Sequence, residues 1–330
     1  MNKLYKYIGN LEQLAYARRM KMTEGHADGL RVIEVNNGNG LQATILEGRG
    51  LDIGRLSING INMGFLSKAG LSGPASFTPV PGEMQRYFYG GMLTTCGLSN
   101  IGPNQMENGA QLPMHGRIGI TPANNVVAKV DYEQGHIVIT GTMIQAALFG
   151  QNLHMERKIV ISMEQNKLSV SDKVINNNYD DELICVMYHI NFGYPMLSES
   201  TKLNTNCEVP EPKTKEAKNG LEKWRSFEKP TDNRPEECFF HFPIPNDDGV
   251  VHVDVHNESI KTKACVSYKK AQMPVLIEWK SMASGDYALG IEPSTSRLMG
   301  KLQEAKDGRM VKISSGSAKS FGFELSFTSL

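Results

Sequence analysis

Three short polar clusters, far apart in the chain, carry side chains able to move protons. His115 lies in Pro113-Met114-His115-Gly116-Arg117, His189 in Met187-Tyr188-His189-Ile190-Asn191-Phe192-Gly193, and Glu292 in Leu289-Gly290-Ile291-Glu292-Pro293. Two imidazoles and a carboxylate supply both an acid and a base, so the chemistry to expect is proton transfer on a small polar molecule, with no metal or cofactor required. Each residue also has a plainer reading. A histidine within so apolar a run as Leu183 to Phe192 is ordinarily a hydrogen-bonded core residue. His115 follows a turn-rich loop, Asn108 to Pro113, where exposed histidines are common, and a carboxylate before a proline can simply be solvated. Asn191 shares the His189 face under the two-residue period of a strand, and that second polar group favours a site over a core.

The elements that must position these groups read as strands almost throughout. Gly29 to Val35 and Leu41 to Leu46 flank an Asn/Gly turn, which is a hairpin signal. His136 to Thr140, Leu153 to Met163 and Lys167 to Ile175 alternate apolar and polar residues with period two. Further strands are expected at Val250 to Val255, Ala264 to Tyr268, Val275 to Trp279 and Phe321 to Phe327. The best helical candidate is Leu11 to Met20, with Asn10 as N-cap, although Leu14, Tyr16 and Arg18 also fit a strand. The Lys-, Glu- and Pro-rich stretch Glu208 to Glu237 reads as a long surface excursion. The expectation is all-β: a large antiparallel β-sandwich forming one domain over residues 1–330.

Composition narrows the function classes. Lys+Arg and Asp+Glu are both 35, giving zero formal charge, and no basic stripe argues for nucleic acid or an anionic membrane as partner. The N-terminus lacks a signal-peptide core, no apolar run is long enough to span a bilayer, and the five cysteines form neither a CxxC pair nor an even set. A cytoplasmic location is expected. Three further constellations hold groups able to do chemistry. His252, Asp254 and His256 share a strand face but match an ordinary polar face better than a metal site. Cys96 reads as a buried thiol rather than a nucleophile paired with His115. Arg49, in Gly48-Arg49-Gly50-Leu51-Asp52-Ile53-Gly54, either pairs structurally with Asp52 or offers a planar donor to a bound ligand.

The order Leu-Pro-Met-His-Gly, then Tyr-His-Ile-Asn-Phe-Gly, then Ala-Leu-Gly-Ile-Glu-Pro resembles the aldose 1-epimerase (galactose mutarotase) family. It is most similar to a divergent branch carrying Gly-Arg-Gly-Leu-Asp-Ile-Gly (residues 48–54) and Gly-Gly-Met-Leu-Thr-Thr-Cys-Gly-Leu-Ser-Asn (residues 90–100). The resemblance runs from about Gly29 to the C-terminal strand. It implies a β-sandwich with a sugar in an open cleft, and interconversion of α and β anomers without a cofactor. Glu292 would be the general base on the anomeric hydroxyl, His189 the general acid on the ring oxygen, and His115 a second histidine near that oxygen. Acid and base are expected on opposite sides of the hemiacetal, within about 3 Å of their protons. Substrate contacts implied are Arg49, Glu237, Asn191 and Asn100. Trp279 and Tyr188 could stack on a sugar, with core packing the commoner fate of a Trp279. There are departures: Thr94 to Asn100 holds no arginine where the typical family has one, leaving Arg49 or Arg86 to replace it, and Glu237 stands near the usual aspartate. The partner expected is a small sugar, with no nucleic acid or membrane, and a homodimer is left open. A carbohydrate-binding protein without turnover is the alternative from another class.

Overall fold

Where the sequence alternates apolar and polar residues, the chain forms long antiparallel ladders. In the computed structural model, which describes residues 6–330, His136–Ala146, Asn152–Ser162 and Lys167–Asn176 pair in register, with Ile139 facing Ile159 and Ile159 facing Val170. They belong to an eight-stranded sheet in the order Ala123–Asp131, His136–Ala146, Asn152–Ser162, Lys167–Asn176, Ala318–Ser329, Thr262–Lys269, Val250–Asn257, Thr201–Thr205. A second sheet runs Glu211–Pro212, Glu237–His241, Val275–Ala283, Asp286–Ser294, Glu182–Phe192, Val311–Ile313, with Leu93–Leu98 also paired to Glu182–Phe192. A third contains Tyr16–Lys21, Arg31–Asn36, Leu41–Leu46, Asp52–Ile58 and Ile61–Asn62. Residues from all three, among them Ile45, Ile159, Val266, Ile190 and Leu289, join one buried cluster. This is the large antiparallel β-sandwich expected from the alternation.

The second sheet is covered on both faces, which explains why Ile184 to Phe192 is buried at every position and reads as one apolar run. On the face away from the main core, Cys96, Cys185, Met187, Cys238, Phe240 and Ile277 form a smaller cluster with Ile101, and Leu298 packs against it. The protonatable residues lie on this outer face.

Two expectations change. Leu11 to Met20 is not a helix: Asn10 does cap, its Oδ1 accepting from Glu12 N at 2.9 Å, but the turn is 3-10 over Leu11–Gln13 and Tyr16–Lys21 is a strand paired to Arg31–Asn36. Ladder pairing overrides the local helix signal there. The excursion after Glu208 is also more than surface. It contains Glu211–Pro212, a helix Lys215–Asn219 capped by Thr214, and a turn Leu221–Lys223, and it buries Ala217, Trp224 and Phe227 in the main core.

Candidate active site

Strand register brings the first two groups together. Glu182–Phe192 and Asp286–Ser294 pair with Ile190 opposite Ile291 and Asn191 opposite Gly290, which sets His189 across from Glu292 on the outer face. His189 Nε2 lies 3.0 Å from Glu292 Oε1, with both side chains buried. The contact is not aligned as a hydrogen bond: Glu292 Oε1, His189 Nδ1 and Asn191 Oδ1 are all buried without partners. Such groups are rare in a finished core and common where a ligand will complete them. Gly290 makes the approach possible. A Cβ there would fall 2.5 Å from Glu292 Oε1 and 3.1 Å from His189 Cε1.

His115 arrives from a loop docked on the neighbouring strand. Gly97 N donates to His115 O at 2.9 Å and Arg117 N to Gly97 O at 3.1 Å, while Leu93–Leu98 pairs with Glu182–Phe192 through Thr94 opposite His189. Gly116, at φ 75°, is pressed so closely that a Cβ would sit 1.9 Å from Gly97 O. The two imidazoles stand perpendicular with centroids 6.2 Å apart, and His115 Nδ1 is a further buried atom without a partner. Phe88 and Trp279 wall the site, 5.2 Å and 5.5 Å from the His189 ring. Trp279 Nε1 donates to Glu236 Oε2 at 2.7 Å.

Burial governs the electrostatics. It drives the Glu292 carboxyl well above the ordinary carboxylate range, the negative charge of Glu236 adds to that, and Lys213 opposes it. Burial lowers His189 to about 3, helped by the charge of His115 and opposed by the Asn191 amide, and lowers His115 to about 4 with help from Lys213. Burial therefore favours the uncharged forms, a protonated Glu292 beside two neutral imidazoles. One proton sits within reach of two bases.

A charged network fixes the strands from behind. Arg157 bonds Asp172 with Nε to Oδ1 at 2.8 Å and Nη2 to Oδ2 at 2.6 Å, reaches Asp52 Oδ1 at 2.8 Å and Gly50 O at 2.9 Å, and donates to Thr95 Oγ1 at 2.8 Å. Tyr188 OH completes it, donating to Asp172 Oδ2 at 2.8 Å. Burial opposes the Arg157 charge, yet the two aspartates outweigh it and raise the guanidinium above its ordinary value. Thr95 and Tyr188 neighbour Thr94 and His189 in sequence, so the network holds the backbones that carry the site.

Glu292, His189, His115 and Asn191 thus stand together. Glu237 and Asn100 do not join them. Glu237 points to the opposite face of its strand, where Arg234 Nη2 donates to its Oε1 at 2.9 Å. Its neighbour Glu236 is the carboxylate on the outer face beside Trp279, because a one-residue change of phase reverses the face. Asn100 is fully engaged with backbone, donating to Pro103 O and Pro113 O and accepting from Lys301 N, and so anchors the His115 loop. Arg49 does not pair with Asp52; its Nη1 and Nη2 donate to Ser72 O and Tyr87 O. Tyr188 faces the main core, whereas Trp279 faces the His189 ring. The network around Arg157 was missed, although its signal was present: Arg157 and Asp172 occupy inward positions of cleanly alternating strands and face each other across the ladder. Phe88, Glu236 and Lys213 carried no sequence signal.

His252 is engaged with Ser267 (Nδ1 to Oγ, 2.8 Å), and among the described residues no three His, Cys, Asp or Glu side chains are arranged to hold a metal ion. Cys96 is buried, and burial raises its thiol far above the usual range. A concavity of about 950 Å³ lies elsewhere, on the outer face of the eight-stranded sheet, with Glu156, Lys158, Lys173 and His252 in its lining. Its polar side chains belong to an ordinary solvent-facing sheet, and it is remote from the unpartnered acid–base cluster.

Solved structures share this architecture. A Klebsiella pneumoniae protein provisionally named an aldose 1-epimerase superposes with a TM-score of 0.89 at 24% identity, over 94% of this chain and 83% of that one. A galactose mutarotase-like protein from Clostridium acetobutylicum gives 0.66 at 13% identity, covering 96% of this chain and 100% of that one. A galactose 1-epimerase from Lactobacillus acidophilus gives 0.64 at 12%, covering 96% and 99%. No curated protein matches the sequence. At such identities the likeness establishes the fold and leaves the chemistry to the residues. Residues 27–327 match the model of the domain of unknown function DUF4432, and the chain belongs to that family, built on a galactose mutarotase-like β-sandwich.

Proposed function

We propose that this protein is an aldose 1-epimerase-like isomerase that interconverts the α and β anomers of a sugar by acid–base catalysis. The observation that carries the reading is the contact between His189 Nε2 and Glu292 Oε1, 3.0 Å apart and unaligned, beside a second unpartnered histidine. The anomeric hydroxyl and the ring oxygen of a hemiacetal sit on one carbon. An acid and a base 3.0 Å apart can serve two oxygens so close together.

The proton count fits the reaction. A neutral Glu292 beside a neutral His189 holds the same number of protons as an ionised Glu292 beside a protonated His189. In the second form Glu292 takes the proton of the anomeric hydroxyl while His189 gives one to the ring oxygen. The bond between C1 and the ring oxygen breaks, the aldehyde forms, and the pair is left as protonated Glu292 and neutral His189, the distribution that burial favours. Rotation about C1–C2 and the reverse transfers close the other anomer. In this reading His115, whose Nδ1 has no partner, bonds the ring oxygen, and Trp279 and Phe88 offer faces to the sugar. No cofactor is needed in this scheme. The five free thiols suit a reducing, cytoplasmic compartment. The proposed ligand is a small sugar rather than nucleic acid or membrane, and the proposal covers a single domain whose assembly, monomer or homodimer, a sedimentation run would decide.

The test is anomer exchange by proton NMR saturation transfer over neutral aldoses, 6-deoxy sugars, uronic acids and sugar phosphates, with wild type beside Glu292→Gln. Acceleration for one class, abolished in the variant, supports the isomerase. Ligand-induced shifts with no acceleration anywhere would replace it with a non-catalytic carbohydrate-binding protein.

A further inference from the structure

Between the paired strands Phe65–Leu66 and Gly90–Gly91 runs a loop, Ser67–Tyr89, closed at its base by Ser67 N donating to Tyr89 O at 3.0 Å. Its outer part is largely exposed, with Val80 45% accessible, and its only regular pieces are a 3-10 turn Pro74–Ser76 and a one-turn helix Met84–Tyr87. Its last residues reach the site: Phe88 packs on His189 and stands 6.2 Å from Trp279. Something must hold so long a loop in place.

Arg49 is the side chain placed to do this. It is 5% exposed, and it donates from Nη1 to Ser72 O at 3.3 Å and from Nη2 to Tyr87 O at 2.9 Å, so one planar group grips both limbs of the loop. Among the described residues it has no carboxylate at ion-pair distance; Asp52 lies near enough to favour its charge but is bonded to Arg157 and Thr95. Two arginines and two aspartates (Arg49, Arg157, Asp52 and Asp172) leave this region neutral, which lets the guanidinium be buried while its donors serve carbonyls.

We propose that Arg49 is a positioning residue that clamps the two limbs of the loop Ser67–Tyr89 and thereby holds Phe88 against His189. Its effect on turnover rests on the isomerase reading; its effect on the loop does not. Lysine keeps the charge but can serve only one limb well, and methionine serves neither. When the clamp is released the loop swings out, and the His189 ring gains access to water on the side Phe88 now covers.

The loop itself supplies the probe, since the Arg86 side chain is 76% exposed within it. Tryptic cleavage after Arg86, timed by mass spectrometry, is compared in wild type, Arg49→Lys, Arg49→Met and Phe88→Ala. Cleavage follows the population of the open loop, so Arg49→Met is cut about tenfold faster than wild type and Arg49→Lys about threefold, while Phe88→Ala keeps the wild-type rate. If Arg49→Met fails to fold, Arg49→Lys alone carries the comparison. In the anomer-exchange assay Arg49→Met and Phe88→Ala move the acid limb of the pH profile upward, as His189 becomes wetter, and lower kcat more than they raise KM. Cleavage at the wild-type rate in both Arg49 variants overturns the clamp. So does a rise in KM alone, which marks a direct sugar contact. Faster cleavage with no sugar turned over by wild type keeps the clamp and removes the isomerase.

Discussion

Two histidine–glutamate pairs sit on neighbouring strands of one sheet, on opposite faces, and they differ in what surrounds them. His241 Nε2 and Glu278 Oε2 meet at 2.9 Å in an aligned hydrogen bond inside the main core, with Cys207 Sγ 3.5 Å from His241 Nδ1 and the Trp224 ring stacked at 4.7 Å. Both imidazole nitrogens have a partner. His189 and Glu292 meet at 3.0 Å, almost as close, but neither is aligned with the other and His189 Nδ1 faces no partner. Distance and burial are alike. Each glutamate keeps one buried oxygen without a partner, Glu278 Oε1 and Glu292 Oε1, so the difference lies in the imidazole: both nitrogens are engaged in the pair that ties strands together, and Nδ1 is free in the one poised to handle another molecule's protons.

Removing each carboxylate in turn separates the two pairs most strongly. Glu292→Gln should slow anomer exchange by about 10²–10⁴-fold, the usual contribution of a positioned acid–base group, while Glu278→Gln stays within a few-fold of wild type. Equal losses in the NMR assay would make both pairs structural or both catalytic. Stability should move the other way. Glu278→Gln weakens a bonded pair in the core and should cost about 1–3 kcal/mol in urea unfolding. Glu292→Gln should be neutral or stabilising by about 1 kcal/mol at pH 8, because a carboxyl raised by burial resists ionisation that the unfolded chain accepts freely. A larger loss in Glu292→Gln would mean that its carboxylate is structurally committed after all.

The network around Arg157 extends the contrast to a cluster whose aspartates are all paired. Arg157→Met leaves Asp52 and Asp172 buried without their cation and should destabilise by about 3–5 kcal/mol. Wild-type stability in that variant would mean that the two strands do not depend on it. The pH profile gives a finer distinction. With His189 lowered to about 3 and His115 to about 4, kcat/KM should hold down to about pH 5 and fall below it as the imidazoles take up protons. The basic limb belongs to loss of the proton that His189 and Glu292 share, giving a broad bell. The same two histidines, with folded values below the unfolded ones, contribute stability that is complete above about pH 6.5 and declines as pH falls toward 4 and then 3. An acid limb near pH 6.5 would show that they are open to water. The smallest effect expected is at the rim: Glu236→Gln keeps an acceptor for Trp279 and removes a charge facing Glu292, so KM should change by less than about threefold and the basic limb should move down.

How far the sequence could be read depended on whether a feature was local. Period-two alternation is local, so the strands from His136 to Ile175 were legible residue by residue. The pairing of Glu182–Phe192 with Asp286–Ser294 joins segments about a hundred residues apart, and no local pattern carries that register. His189 and Glu292 could be nominated as residues, but their side-by-side placement could not. The choice of Glu237 over Glu236 failed on phase, since adjacent strand positions face opposite ways and the short strand Glu237–His241 is buried at every position, offering no polar alternation to fix it. Arg49 illustrates a third limit. Its capacity to donate was legible, but its acceptors are backbone carbonyls, which leave no trace in side-chain pattern.

The shared proton between His189 and Glu292 has an electrostatic corollary. Through the whole proposed cycle it passes from carboxyl to imidazole, to the sugar and back, so the buried cleft never changes its net charge. No counterion must enter or leave as the ring opens and closes, and the rate with an uncharged sugar should be indifferent to ionic strength.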